Sequence, residues 1–228
     1  MNNLVKKQTR RNVAGRNGRH PLMQKKIDLR SQRTRIFIQN ALIDLIERRG
    51  FDHVSVQDIS AQAMINRATF YRYYRDKHHV VEEIFKDALQ RMANEMGPPL
   101  IISESGDLAR GLDNERNQAA WVSLFEHFAS NGRMYRAMLG GKGCVWFQSR
   151  MKEHLKRFLS ERVSGRHQGG GSAAVPVEVA RCFFASAILG VVQLWLEGGR
   201  KHSALQVATW FRRIAFKGYI GALAGMNE

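Results

Sequence analysis

The chain is short of cysteine, short of acids relative to bases, and without a bilayer-length run of apolar residues. Each shortage excludes something. Two cysteines, Cys144 and Cys182, cannot build a disulfide scaffold or a four-thiolate zinc site, and they fit a reducing cytoplasm. The longest apolar stretch lies between Arg181 and Glu197, and its 15 residues include Ser186, Gly190 and Gln193. A membrane span needs about 20, so this stretch reads as a buried core helix, and no membrane partner is expected. The opening Met1-Asn2-Asn3-Leu4-Val5-Lys6-Lys7 lacks the apolar segment of a signal peptide. No stretch alternates apolar and polar residues with period two, so no strands are expected. No internal repeat is visible at a period of about 20–50 residues. There is no Gly-rich phosphate loop in a strand-turn-helix setting and no G-x-S-x-G. Scattered Ser, His and Asp make no triad without geometry, so neither catalysis nor a cofactor is expected. The pair His78-His79 reads as two solvated helix residues, and no metal is expected.

What remains is an ordinary globular composition with a strong basic surplus. The 228 residues are 44% hydrophobic, enough for one or two domains of roughly 100–200 residues each. Lys plus Arg number 36 against 20 Asp plus Glu, a formal charge of +16. A surplus of that size calls for a polyanionic partner or a membrane surface. Its placement is uneven: residues 1–78 carry a net +11 and residues 79–228 a net +5. Residues 1–30 hold nine bases, one acid (Asp28) and few large apolar residues. Such a segment buries too little to offset its ordering entropy, and it reads as a disordered basic arm that adds phosphate or minor-groove contacts.

From Ser31 onward the apolar residues recur at helical spacing. Ile38, Ala41, Leu42, Leu45 and Ile46 share one helix face, and Gly50 follows Arg48-Arg49 as a stop. Ser55-Val56-Gln57-Asp58 is a capping box opening a short helix. Asn66 is the next N-cap, opening Arg67-Ala68-Thr69-Phe70-Tyr71-Arg72-Tyr73-Tyr74. Asp76 caps a longer helix with the face Val81, Ile84, Phe85, Ala88, Leu89, Met92. Residues 97–114 read as a linker. Further helices follow around Trp121–Phe128, Tyr135–Leu139 and Phe147–Leu159, then a flexible Gly169–Ser172 loop. The last two helices cover about 176–197 and 203–222, the second opened by another capping box at Ser203. The expectation is an all-α chain of about nine helices. It comprises an arm at 1–30, a helix-turn-helix unit at 31–78 and a helical ligand-binding and dimerisation unit at 79–228.

The pair of short helices joined at Met64-Ile65 is a helix-turn-helix arrangement. Its second helix is too short and polar to be core on all sides. It projects Arg67, Thr69, Tyr71, Arg72 and Tyr73 from a few apolar anchors, and an α-helix of that kind fits the DNA major groove. Hydroxyls and ammonium groups suit phosphate oxygens, and the helix N-termini at Ser55 and Lys77 favour phosphate by their dipoles.

Ser55 through Ala63, then Asn66 through Tyr74, then Asp76-Lys77 resemble the N-terminal DNA-binding signature of TetR-type transcriptional regulators. The resemblance covers residues 31–80. A weaker likeness to one ligand-domain subgroup lies in Tyr135, Met138-Leu139 and Trp195-Leu196-Glu197-Gly198-Gly199. The resemblance implies a homodimer, a pseudopalindromic operator in double-stranded DNA, and repression relieved by a small-molecule effector. It implies that Thr69 and Tyr71 meet the DNA backbone, that Tyr73 touches DNA, and that Lys77 and Ser55 meet phosphate. Arg67 and Ala68 then set base choice, while Phe70 and Tyr74 pack. This chain departs from the pattern at the turn, where Met64 replaces a glycine; a left-handed backbone there costs a non-glycine residue about 1 kcal/mol. It departs again at Val80, where a leucine is usual.

Trp121, Phe125, Phe128, Met134, Met138, Trp146, Met151 and Phe183 are mostly core, and some should line an effector cavity, because Met and aromatic walls suit apolar ligands. The dimer interface is expected on the last two helices, through Phe184, Ile188, Val191, Trp195, Phe211 and Ile214, as a four-helix bundle with the partner. A second reading keeps the DNA reader without an effector, as a DNA-organising protein of the nucleoid. A closed C-terminal core favours that reading, whereas a cavity of a few hundred Å³ favours the ligand-sensing one.

Overall fold

The computed structural model describes residues 21–95, 115–162 and 176–224, and these contain nine α-helices, one 3-10 turn and no strand. The helices are α1 (Pro21–Arg49), α2 (Val56–Gln62), α3 (Arg67–Tyr73), α4 (Lys77–Glu95), α5 (Glu115–Ser130), α6 (Gly132–Leu139), α7 (Val145–Arg162), α8 (Val177–Glu197) and α9 (Ala204–Ala224). The 3-10 turn is Phe51–His53. The expected linker at 97–114, the Gly169–Ser172 loop and residues 1–20 of the expected arm lie outside the described residues.

The chain divides after Ile36 into two compact units. In the first, α1 opens at Pro21, well before the expected start at Ser31. Proline is pre-set for the first helical position, and the Leu, Met, Gln and Lys residues that follow are good helix formers. Residues 21–30 are therefore helical, where the sequence suggested an arm without structure. Thr34 Oγ1 folds back onto the Arg30 carbonyl at 3.0 Å.

The second unit contains the rest of α1 and everything after it. Here Ile38, Ala41, Leu42, Leu45 and Ile46 are buried, as their spacing predicts. Gly50 ends the helix with φ 85°, a conformation cheap only for glycine. The next amide, Phe51 N, donates to the Lys142 carbonyl at 2.9 Å, so the turn after α1 is tied to the loop between α6 and α7. Ser55 caps α2 through a reciprocal box, with Asp58 N donating to Ser55 Oγ at 3.1 Å and Ser55 N donating to Asp58 Oδ2 at 2.9 Å. The Ser55 hydroxyl, which itself donates to Asp58 Oδ2 at 2.5 Å, and then the Ser55 amide hold the Asp58 carboxyl below its ordinary value, helped by the Arg49 guanidinium. Asn66 Oδ1 accepts from Ala68 N at 2.9 Å and starts α3. Between the two, Met64 adopts φ 53°, so the turn keeps the left-handed conformation despite lacking a glycine.

In the C-terminal region α9 packs along α5, while α8 packs against α7 and α6. The seam is aromatic: Trp121 and Phe125 lie 5.3 and 5.7 Å from Phe211, ring to ring. The second capping box is present as expected, with Gln206 N donating to Ser203 Oγ at 3.2 Å and Ser203 N donating to Gln206 Oε1 at 3.0 Å. No helix among the described residues is long and apolar enough to cross a membrane.

Candidate nucleic-acid interface

α3 has two unlike faces. Phe70 is buried, as is Tyr74 just past the helix end. Their rings lie 5.9 Å apart; burying a side chain of that size contributes about 2–3 kcal/mol. With that anchor in place, the opposite face is turned outward: Arg67, Ala68, Tyr71 and Arg72 are exposed, and Thr69 and Tyr73 are half-buried. The Arg67 guanidinium lies 6.0 Å from the Tyr71 ring centre, so the cation and the phenol occupy one patch. Ser55 is exposed at the start of α2, with its hydroxyl and amide already engaged in the capping box. The structure thus places Arg67, Ala68, Tyr71 and Arg72 together on one solvent face, with Thr69 and Tyr73 at its margins.

Lys77 sits differently from the phosphate ligand the resemblance implies. Its Nζ donates to three backbone carbonyls, those of Phe51 at 2.9 Å, Asp52 at 3.2 Å and Val54 at 2.9 Å. An ammonium has three protons, so this arrangement leaves none for a phosphate. The same Nζ lies 4.5 Å from the Phe51 ring centre. Lys77 caps the 3-10 turn and ties α4 to it. The neighbouring histidines are also occupied in packing. His78 meets Phe51 edge-on at 5.1 Å, and His79 meets Tyr74 at 5.5 Å. His79 Nδ1 also accepts from Arg75 N at 3.2 Å. Among the described residues no group of three or more ligating side chains could hold a metal ion.

Two features invisible in the sequence connect this reader to the rest of the second unit. Arg133 pairs with Asp44 and with Glu47, the latter at 3.1 Å, and Arg136 pairs with Glu47 at 2.9 Å. Two bases three apart on α6 meet two acids three apart on α1; each spacing is visible in the sequence, but their pairing is not. The second is a hydrogen-bonded chain across α4, α5 and α6, running from an exposed Glu95 to the buried His127 and Tyr135. His127 Nδ1 lies 2.6 Å from Glu95 Oε2, and His127 Nε2 lies 2.7 Å from the Tyr135 hydroxyl. Burial pushes the His127 imidazole below its ordinary value, against the opposing pull of Glu95. Burial likewise pushes the Tyr135 phenol up.

The expected effector walls are distributed unevenly. Trp121, Phe125, Phe128, Met134, Met138 and Met151 are buried in the core. Phe183 is 52% exposed and stacks on Phe184 at 5.5 Å, so it stands on the outside of α8. Two open clefts, of about 620 and 400 Å³, lie elsewhere, and of the eight expected walls only Trp146 lines either of them. The expected dimer face also changes composition. Ile188, Trp195 and Phe211 are buried within their own chain, whereas Val179, Phe183, Leu194, Leu205, Trp210 and Ile214 are exposed.

A short outward-facing helix on a buried aromatic anchor, entered by a capped helix and a tight turn, defines a helix-turn-helix DNA reader. Comparison with known proteins agrees. Residues 38–84 match the family described as bacterial regulatory proteins, tetR family, and residues 115–217 match the transcriptional regulator C-terminal region. The chain belongs to the TetR family of transcriptional regulators. It is 35% identical over 83 residues to the uncharacterized HTH-type transcriptional regulator YxbF of Bacillus subtilis (strain 168). That match covers 36% of this chain and only 21% of the relative's length. The fold is similar to that of a TetR transcriptional regulator from Streptococcus agalactiae 2603V, with TM-score 0.59 and 20% identity over 85% of this chain and 98% of that one. It is also similar to a TetR-like regulator from Rhodococcus sp. RHA1, with TM-score 0.55 and 17% identity over 82% and 96% of the two chains.

Proposed function

We propose that this chain is a homodimeric transcriptional repressor of the cytoplasmic nucleoid, released from a pseudopalindromic operator by a small molecule. The observation that carries the reading is α3, whose outer face offers Arg67, Ala68, Tyr71 and Arg72 while Phe70 anchors it. Arg67 and Ala68 lie at the N-terminal end, where recognition helices meet base edges. A guanidinium is suited to a guanine edge. Tyr71, Thr69 and Tyr73 supply hydroxyls for phosphates, and Ser55 lies at the exposed start of α2. Lys77 serves the site indirectly, by fixing α4 against the turn before α2. The basic residues of 1–30 add salt-dependent phosphate attraction.

Two copies would meet through the exposed apolar stripe Val179, Phe183 and Leu194 on α8 together with Ile214 on α9. Isologous pairing of one stripe with its own copy is the usual route to a two-fold dimer. The alternative, a DNA-organising protein without an effector, draws on the burial of six of the eight expected cavity walls; the 620 Å³ cleft weighs against it.

Selection of bound fragments from random duplex DNA tests the reading. Two inverted half-sites about 34–36 Å apart, or a multiple of that, are expected. Fragments sharing no sequence, bound with the same affinity as bulk DNA, would favour the DNA-organising protein.

A further inference from the structure

The 620 Å³ groove lies between α4, α7 and α8, a size suited to a ligand of drug or metabolite dimensions. Its floor is aromatic. Phe85 of α4 meets Trp146 of α7 edge-on at 5.7 Å, and Phe147 backs Phe85 at 5.5 Å. Its rim is charged, and most of that charge is internally paired. Glu82 faces Arg75 at 4.0 Å, Lys86 pairs with Glu83 at 2.8 Å, Lys156 with Glu153 at 2.7 Å, and Arg181 with Glu178 at 2.8 Å. Two lining guanidiniums have no carboxylate partner among the described residues, Arg150 and Arg157. Arg150 lies 5.6 Å from the Trp146 ring centre, a cation held over an aromatic face. Arg157 is two turns further along α7, about 10 Å away. The groove therefore combines a stacking surface with two guanidiniums that make no ion pair among the described residues, Arg150 sharing only the longer-range field of Glu153.

We propose that this groove is a binding site for an organic anion with a flat apolar body, stacked against Phe85 and Trp146 and held by Arg150 and Arg157. Guanidinium suits this role because it presents a planar set of donors to a carboxylate or sulfonate and stacks on an aromatic face at the same time. The paired bases of the rim contribute little, since their neighbouring carboxylates already offset them. The site names the effector class of the regulator proposed above, and its regulatory meaning rests on that reading. Because Glu82, Phe85 and Lys86 stand on α4, an occupant bears on the helix that begins at Lys77.

The test uses the full chain without DNA and two fluorescent probes of matched shape. One is 8-anilinonaphthalene-1-sulfonate, which is anionic; the other is N-phenyl-1-naphthylamine, which is uncharged. The anion is expected to bind at least tenfold more tightly. Loss of a charge-assisted hydrogen bond costs about tenfold or more. The double variant Arg150→Gln/Arg157→Gln should therefore reduce anion affinity at least tenfold and leave the neutral probe within about twofold. Phe85→Leu should weaken both probes. Equal affinity for the two probes, or an unchanged anion affinity in the double variant, would overturn the site. Circular dichroism of each variant checks the fold, and Arg150→Lys, which keeps the charge, should restore part of the anion affinity. Duplex binding measured on the same samples separates the two claims: anion binding without any DNA binding would sink the repressor and keep the groove. DNA binding without anion selectivity would do the reverse.

Discussion

Lys77 and Phe51 are joined twice: the Lys77 ammonium donates to the Phe51 carbonyl at 2.9 Å and lies 4.5 Å from the centre of the Phe51 ring. With the Asp52 and Val54 carbonyls also engaged, the side chain closes the end of the 3-10 turn. Lys77→Met leaves three carbonyls to find other donors, which should cost about 1–3 kcal/mol of stability. If the ammonium stays where it is when DNA is bound, the slope of log affinity against log salt should be unchanged, since a phosphate contact would lower it by about one. Denaturant unfolding and salt-dependent duplex binding read the two effects. A slope that falls with no loss of stability would return Lys77 to the phosphate.

Arg67 is exposed at the first position of α3, with its guanidinium 6.0 Å from the Tyr71 ring centre. Arg67→Ala should leave stability within about 0.5 kcal/mol. It should cost about 1–3 kcal/mol on the selected operator and much less on unrelated duplex. Equal losses on both would make Arg67 a backbone contact.

Met64 stands in the left-handed region at φ 53° with 92% of its surface exposed. Its side chain contributes little burial, so the backbone strain decides. Met64→Gly removes that strain, about 1–2 kcal/mol, and adds unfolded-chain freedom of about 0.5–1 kcal/mol. The net expectation is a gain of up to about 1.5 kcal/mol. Met64→Val, β-branched, should instead destabilise. A thermal melt that ranked valine above glycine would contradict this account.

The buried His127 gives a pH dependence of definite sign. Burial holds its imidazole below the ordinary 6.5, with the Arg91 charge acting in the same direction and Glu95 opposing both. Below pH about 6.5 the unfolded chain takes up a proton that the folded chain refuses. The contribution is therefore fully present above that pH and is lost as the pH falls through the lowered folded value. His127→Gln, which keeps hydrogen-bonding capacity without titrating, should flatten the fall in Tm between pH 7.5 and pH 5. Parallel curves for the two proteins would remove His127 as the cause.

Leu194 and Ile214 are 74% and 75% exposed, so changing them disturbs little within one subunit. Leu194→Glu with Ile214→Glu should leave the circular dichroism unchanged and halve the mass in sedimentation. Operator affinity should drop by at least tenfold as two linked half-sites become independent. A dimer that survived both substitutions would place the interface elsewhere.

Much of the fold can be read along the chain because helices are local. The caps at Ser55, Asn66 and Ser203 and the buried faces of α1 and α4 follow from hydrogen bonds and side-chain spacings within a few residues. The start of α1 is not legible in composition, because a basic segment suggests an unstructured arm, whereas Pro21 and the residues after it are compatible with a helix. The outward face of α3 was legible for the same local reason: Phe70 and Tyr74 are four apart and take the buried side.

The sequence by itself determined an all-helical chain, the position of the short second helix of its helix-turn-helix and the excess of positive charge near it. Those depend on short-range spacing and on composition. Only the tertiary structure decided where Lys77 spends its protons, that Arg133 and Arg136 meet Asp44 and Glu47, and that the open, charged groove lies beside Trp146 while the expected walls fill the core. Each of these joins groups that are distant along the chain, and the angle at which two helices pack is set by many side chains at once.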